Sequence, residues 1–233
     1  MRILCIVFSL LCIGTTALCG NYCGLWLGQI EVNKVSEAVS KTDATTTLPV
    51  QNSFIMKILL HVDSSNQIRI LRDVTFMQKR YTENNVEKIR KVLVSDNTLI
   101  PSFEGVVRRD GEMAGIRLGS LAFDFDPALN EFLVNGVFGP GKTITVNLPL
   151  AENHPSNPFM HKFHPDHETG KAITRNIKLI FDTVQDINDP ASGQSQLTGK
   201  FQESVSGLHK DPINVEGRFF LKKISMIANL NDQ

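Results

Sequence analysis

The stretch Phe54-Ile55-Met56-Lys57-Ile58-Leu59-Leu60-His61-Val62-Asp63-Ser64-Ser65-Asn66-Gln67-Ile68-Arg69-Ile70 decides the fold class of this chain. Apolar side chains stand at every second position from Phe54 to Val62, which is the period of a β-strand with one buried face. The polar residues 63–66 have the composition of a turn, and a second apolar segment starts at Ile68. The pattern predicts an antiparallel hairpin in which His61 lies on the face opposite Leu60 and has a structural role.

Short β-like segments continue along the rest of the chain. They alternate in polarity or are rich in β-branched and aromatic residues, and glycine- or proline-bearing turns such as residues 139–141 separate them. Residues 36–52 are rich in Ser, Thr and Asp and predict a long flexible loop, and Asn84-Asn85 predicts a turn in the polar stretch 78–92. The predicted strands lie at residues 22–32, 54–62, 68–77, 92–94, 115–125, 143–150, 172–184, 197–205 and 213–224.

The sequence shows no sustained helical period, and this completes the prediction of the fold class. Many short strands joined by turns are typical of an all-β protein, and we expect an antiparallel β-barrel or sandwich with long loops. Because the sequence has neither an internal repeat nor a recognisable linker, residues 20–233 are expected to form a single all-β domain.

The N-terminus has the pattern of an export signal. A positive charge at Arg2 precedes the apolar residues 3–13, which have the length of a signal-peptide core and are too few to span a membrane. We predict a signal peptide at residues 1–19 with cleavage before Gly20, and cleavage after Ala17 is the alternative. The mature chain is then secreted or periplasmic and has no transmembrane segment.

The cysteines limit how an exported chain of this kind is stabilised. The chain has four of them, and cleavage before Gly20 removes Cys5, Cys12 and Cys19. Cys23 is then the single cysteine of the mature chain, so the sequence predicts stability from a core or a bound ion and not from a disulfide. We interpret Cys23 as a buried or incidental thiol, because no histidine lies near it in the sequence.

The charge distribution argues against nucleic acid as a partner. The chain has 24 Lys and Arg residues against 24 Asp and Glu residues, and the basic residues are scattered along it. Binding to a phosphate backbone requires a concentrated basic surface. We therefore expect no nucleic-acid partner, and an unknown ligand or a cell-surface partner instead.

Histidines concentrate in residues 154–168, which hold four of the six in the chain. Imidazole and carboxylate groups bind first-row metals, and three imidazoles with an open fourth position are the pattern of a catalytic zinc site. Three prolines in this stretch disfavour a helix, so we expect an ordered loop, called here the histidine loop. The candidate ligands for zinc or another divalent metal are His161, His164, His167 and Asp166, and His209 is a more distant candidate.

Two interpretations of the histidine loop stay open. In the first, the imidazoles bind no metal, and Phe159 and Phe163 anchor the loop by burying their rings. In the second, the protein is a metal-dependent, hydrolase-like enzyme in which Asp166 or Glu168 acts as general base on a metal-bound water. We expect a binding or structural module with the histidine loop as its site, and we keep the enzyme as the alternative.

Residues 136–143 satisfy the phosphate-loop pattern G-x-x-x-x-G-K-T. Pro140 removes one backbone donor from this loop, and no strand-helix-strand unit surrounds it. We therefore interpret the match as accidental and expect no nucleotide cofactor.

Two resemblances rest on short motifs. Gly24-Leu25-Trp26 resembles the G-x-W signature on the first strand of lipocalin-like and streptavidin-like barrels, which implies that Trp26 closes one end of a barrel and that Arg218 packs over it. Over most of its length the chain resembles an uncharacterised all-β domain of exported bacterial proteins, which implies export and no particular activity. The second resemblance is carried by residues 24–28, 33–35, 59–63, 157–167 and 207–209.

Overall fold

The structure is a computed structural model that describes residues 22–36, 46–107, 113–120, 131–154, 157–160, 170–183, 189 and 191–232. Within these ranges the chain forms thirteen β-strands and one 3₁₀ helix at Asn97–Ser102, which confirms the prediction of an all-β protein. The strands are β1 Gly24–Ser36, β2 Thr47–Val62, β3 Ile68–Leu71, β4 Asp73–Glu83, β5 Val86–Val94, β6 Val106–Val107, β7 Met113–Ala114, β8 Ile116–Gly119, β9 Glu131–Gly136, β10 Thr143–Leu150, β11 Ile173–Phe181, β12 Gln196–Ser206 and β13 Ile213–Ser225.

Eight of these strands form a closed barrel in the order β1-β13-β12-β11-β10-β9-β3-β2. Strand β1 pairs antiparallel with β2 on one side and with β13 on the other, and these pairings close the sheet. The other barrel neighbours follow one another in the chain except β3 and β9, between which the chain leaves the barrel. Of the two predicted architectures, the structure therefore has the barrel.

Because neighbouring strands are antiparallel, successive connections alternate between the two ends of the barrel. One end holds the start of β1 with Trp26, the β2–β3 turn and the β9–β10 turn, and we call it the tryptophan end. The opposite end holds the β10–β11 and β12–β13 connections. We call it the histidine end, since the histidine loop lies between β10 and β11 in the chain.

The barrel interior is a packed apolar core. Inward and outward positions alternate along each strand, as in β10, where Ile144, Val146 and Leu148 are buried while Thr145 and Asn147 are exposed. All eight barrel strands contribute side chains to this core. Its tryptophan end is filled by the rings of Tyr22, Trp26, Phe138, Phe181 and Phe219, with neighbouring ring centroids 4.9–6.4 Å apart.

The residues between β3 and β9 include a small sheet that packs on the outside of the barrel. It pairs β5, β4 and β8 in that order, and the predicted turn at Asn84 and Asn85 is confirmed, with φ angles of 52° and 62°. Asparagine adopts positive φ more readily than most residues do. The small sheet contacts outward residues of β1, β2 and β3 through Leu25, Leu59, Leu71, Val74 and Leu93, with Leu27, Phe76, Leu118, Ile227 and Leu230 around them.

Strand β2 differs from the sequence expectation in two ways. Ile58, Leu60 and Val62 belong to the barrel core as predicted, but Phe54 is 48% exposed. The pairing of β2 with β3 starts only at Leu60, so Phe54 lies outside the part of β2 that is flanked on both sides by these barrel strands. The predicted loop at residues 36–52 is also shorter, because residues 47–49 pair with residues 34–36 of β1.

Cys23 does not have the free thiol that the sequence predicted. It is disulfide-bonded, and its side chain is 1% exposed. Cys5, Cys12 and Cys19 lie outside the described residues, as does the whole predicted signal peptide at residues 1–19. A chain that began at Gly20 would have no second cysteine for this bond, so an intramolecular disulfide at Cys23 and cleavage before Gly20 exclude each other.

Candidate functional site

The predicted metal ligands His161, His164, Asp166 and His167 lie outside the described residues, together with Phe163 and Glu168. What the structure describes is the neck of the histidine loop, where the chain leaves β10 and returns to β11. We define the neck as residues 151–154, 157–160 and 170–172. Its geometry decides how the loop is attached to the barrel.

Asn157 holds the neck together. Its side chain is 1% exposed, and its Nδ2 atom donates hydrogen bonds to the carbonyl oxygens of Ala151 at 2.9 Å and Lys171 at 2.7 Å. Its Oδ1 atom accepts a hydrogen bond from the backbone N–H of Phe159 at 2.8 Å. The buried amide of Asn157 therefore links the segment that leaves β10 to the segment that enters β11. Its nitrogen and its oxygen both have hydrogen-bond partners, as buried polar groups require.

A glycine allows the neck to close this tightly. A Cβ atom at Gly170 would lie 2.5 Å from the carbonyl oxygen of Met160 and 2.6 Å from that of Glu152. The backbone N–H of Lys171 also donates to the carbonyl of Phe159 at 3.0 Å. The histidine loop is thus attached through a close-packed base and not through a loose hinge. Phe159, a predicted anchor, is half-buried in this base.

The structure places His209 at the same end of the barrel. It is exposed, in the turn between β12 and β13, and this turn begins at Gly207. A Cβ atom at Gly207 would lie 2.4 Å from the carbonyl oxygen of Ala172, so the turn touches the base of the histidine loop. Among the described residues, no group of His, Cys, Asp and Glu is arranged to hold a metal ion.

A buried ion pair lies inside the barrel below this neck. Arg175 and Glu203 occupy inward positions of β11 and β12, with side chains 12% and 5% exposed. The guanidinium makes two hydrogen bonds to the carboxylate, Nε to Oε1 at 2.5 Å and Nη2 to Oε2 at 3.1 Å. The sequence analysis did not identify this pair, whose partners lie on two neighbouring strands.

A cavity of about 550 Å³ lies on the outer face of β9 to β13. We call it the asparagine groove, because the outward side chains that line it form two rows that cross neighbouring strands in register. The first row is Asn147, Asn176, Ser204 and Asn214, and the second is Asn135, Thr145, Lys178, Gln202 and Glu216.

The composition of the asparagine groove is unusual for a sheet. Asparagine is depleted in strands, yet Asn135, Asn147, Asn176 and Asn214 occupy four different strands of this surface. The Nδ2 atom of Asn147 donates to Oδ1 of Asn176 at 2.6 Å. A set of residues that opposes the local backbone preference indicates a functional surface. Three of these asparagines, Asn147, Asn176 and Asn214, lie in predicted strands, so the sequence carried part of this signal, and the sequence analysis missed it.

The cationic side chain that packs over the Trp26 ring is Lys223, and not Arg218 as the resemblance implied. The Nζ atom of Lys223 lies 5.1 Å from the ring centroid of Trp26, and burial lowers the pKa of this lysine. Arg218 instead pairs with Asp182, Nη2 to Oδ2 at 2.6 Å. The register explains the difference, because Trp26 lies opposite Lys223 whereas Arg218 lies opposite Glu31.

His61 is a fully buried residue on the outer face of the barrel. Its Nε2 atom lies 3.0 Å from the carbonyl oxygen of Ile227, and its Nδ1 atom is buried without a hydrogen-bond partner among the described residues. Burial lowers the pKa of this imidazole more than the Ile227 carbonyl raises it. The neutral ring with the proton on Nε2 satisfies this geometry, which supports the structural role predicted for His61.

Residues 136–143 form the turn between two antiparallel strands. The backbone N–H of Val137 donates to the carbonyl of Thr143 at 3.2 Å, and that of Lys142 donates to the carbonyl of Gly139 at 3.1 Å. Phe138 from this turn is buried in the aromatic cluster. A phosphate loop precedes a helix, and strand β10 follows here, so the pattern match is accidental as predicted.

Comparison with known proteins gives no family for this chain. No family model matches the sequence, and no significant match is found among curated proteins. Within the described part of the chain, no helix has the length and hydrophobicity that crossing a membrane requires.

Proposed function

We propose that the protein is an exported binding module, secreted or periplasmic, that recognises a neutral saccharide in the asparagine groove. The observation that carries this proposal is that four asparagines from four strands line one cavity, three of them in one row across the sheet. A primary amide offers both donors and an acceptor, which matches the paired donor and acceptor character of sugar hydroxyls.

The charge of the groove supports a neutral ligand. Lys178 and Glu216 are the two ionisable side chains in the two rows, and they carry opposite charges. The remaining members of the rows are amides and hydroxyls. Hydrogen bonds from such groups give specificity, with a net contribution of about 1 kcal/mol each, so we expect modest affinity.

Screening against immobilised neutral and acidic oligosaccharides, followed by calorimetry on the best binder, tests this proposal. Replacing Asn147 and Asn176 together with alanine is expected to weaken binding about tenfold or more, because several hydrogen bonds are lost. Asn52→Ala, at an exposed asparagine of β2, is the matched control and should bind like the wild type. Equal binding by the double variant, or binding of peptides only, would overturn the saccharide proposal.

The histidine loop is the second proposed site, for zinc or another divalent metal. The contact between the His209 turn and the neck favours it, because it adds an exposed imidazole at the end of the barrel where the loop is attached. Metal analysis of the purified protein should find stoichiometric metal that is lost when His161, His164 and His167 are replaced with alanine. Metal-free wild-type protein would exclude this site and the metal-dependent enzyme with it.

A further inference from the structure

The small sheet packs on the barrel along an interface that we call the seam. At one edge of this interface, the two parts leave space between them. Two cavities of about 560 and 400 Å³ lie along this edge, and Leu118 lines both of them. The larger cavity is mainly apolar and is lined by Phe76, Met77, Ile116, Leu118, Ile224 and Ile227. The smaller one is lined by Leu27, Leu118 and Phe220 together with Lys57 and Arg117.

The apolar side chains of the seam are unusually accessible. Ile116 is 58% exposed, Phe220 42% and Ile224 38%, although each borders one of the two cavities. The contact between the small sheet and the barrel covers the apolar residues deeper in the seam, but it ends before these three. A contiguous exposed apolar surface of this kind is typical of a binding site.

The described charged residues at the seam have one sign. Lys57 lines the smaller cavity and Lys91 the larger one, and none of the described residues that line either cavity is a carboxylate, although acidic and basic residues are equally frequent in the chain. The Arg117 guanidinium bonds Thr75 Oγ1 at 3.5 Å and Asn97 Oδ1 at 3.3 Å, on the face of the small sheet that points away from the barrel, so Lys57 and Lys91 are the cations of the seam. The seam therefore presents positive charge beside an apolar channel.

We infer that this seam binds a free fatty acid, with the acyl chain in the larger cavity and the carboxylate near Lys91, which lines that cavity. A cavity of this volume is within the usual range for a small ligand. The barrel interior holds the packed apolar core, whereas these two cavities lie outside the barrel. This site is separate from the asparagine groove and does not depend on the function proposed for that groove.

Calorimetry on delipidated protein with laurate and with lauryl alcohol tests the inference. Laurate should bind saturably, and the alcohol about tenfold or more weakly, because it lacks the charge that the cations attract. The double variant Lys57→Gln/Lys91→Gln should weaken laurate binding about tenfold and leave alcohol binding unchanged. The double variant Ile116→Gln/Ile224→Gln should weaken binding of both probes.

Matched controls replace similar side chains away from the seam. Val86→Gln, at a residue that is 56% exposed, and Lys200→Gln, at an exposed residue of β12, should bind laurate like the wild type. Thermal unfolding verifies that each variant is folded before binding is measured. The replaced seam residues are exposed, so their replacement should change the stability of the fold little.

Three results would overturn the inference. The first is the absence of saturable laurate binding to the wild type, and the second is unchanged binding by both seam variants. The third is occupation of the seam by a second copy of the chain or by a membrane surface. The former would appear as a dimer that Ile116→Gln/Ile224→Gln converts to a monomer, and the latter as binding to anionic vesicles without binding to free laurate.

Discussion

Arg175 and Glu203 form a bidentate ion pair inside the barrel, and their side chains are 12% and 5% exposed. Arg175 lies three residues beyond Ala172, at the base of the histidine loop, so the pair lies directly below the connections of the histidine end. A buried charge is stable only when its partner satisfies it, because the interior cannot solvate it.

Removing one partner of this pair should destabilise the barrel strongly. Glu203→Ala leaves the Arg175 guanidinium buried without its carboxylate, and we expect a loss of about 3–5 kcal/mol in the free energy of unfolding. Urea denaturation followed by circular dichroism measures it. The control is Glu83→Gln, which breaks the exposed Lys88–Glu83 pair and should cost less than about 1 kcal/mol. Equal effects of the two variants would mean that the inner pair is solvated.

Acidification should destabilise the protein through His61. Burial lowers the pKa of the folded imidazole below its ordinary value of 6.5, which the unfolded chain retains. Below about pH 6.5 the unfolded state therefore binds more protons than the folded state, and stability falls as the pH falls. The nearby charges are Arg69, which lowers the pKa further, and Asp63, which raises it.

The variant His61→Gln separates this contribution from that of the other histidines. Glutamine can still donate to the Ile227 carbonyl but does not titrate. We expect the difference in melting temperature between pH 7.5 and pH 5.5 to shrink in this variant, whereas His209→Gln, at an exposed histidine, should keep the wild-type difference. An unchanged pH dependence in His61→Gln would show that His61 titrates normally.

Replacing Asn157 should loosen the histidine loop more than the barrel. Asn157→Ala leaves the carbonyl groups of Ala151 and Lys171 without the hydrogen bonds from Nδ2, at a cost of about 1–3 kcal/mol for each buried group. We expect faster proteolytic cleavage between residues 151 and 171, measured by mass spectrometry of the fragments. The exposed Asn52→Ala serves as control, and equal cleavage rates in the two variants would contradict the role of Asn157 in the neck.

The disulfide of Cys23 and the position of signal cleavage can be tested together. In denaturant without reductant, we expect Cys23 of the purified protein to resist alkylation, because it is disulfide-bonded. Peptide mapping under non-reducing conditions then identifies its partner, and the intact mass gives the first residue. Alkylation without reductant would show a free thiol, as expected for a chain that begins at Gly20.

Local chemistry made part of this fold predictable. The alternation at Ile58, Leu60 and Val62 identifies the inward face of β2 without reference to any other strand, since the two faces of a strand follow from its period of two residues. The turn after it is equally local, because Asp63 Oδ1 accepts hydrogen bonds from the backbone N–H groups of Ser65 and Gln67. Such signals lie within a few residues of each other and can be read from the chain.

By itself, the sequence therefore determined the all-β class, most of the strands and several turns. It did not predict β9 or the strand residues in the polar stretch 78–91. Only the tertiary structure decided between barrel and sandwich, because closure depends on β1 pairing with β13, almost two hundred residues away. It also decided that His61 is buried although it lies on the outer face, since the Ile227 segment covers it. Likewise, the structure decided that Lys223 packs over Trp26. The pairing register of β1 and β13 has a shift between Leu25 and Trp26, and this register brings Trp26 and Lys223 together. These outcomes depend on contacts between distant segments, which the periodicity of a single segment does not encode.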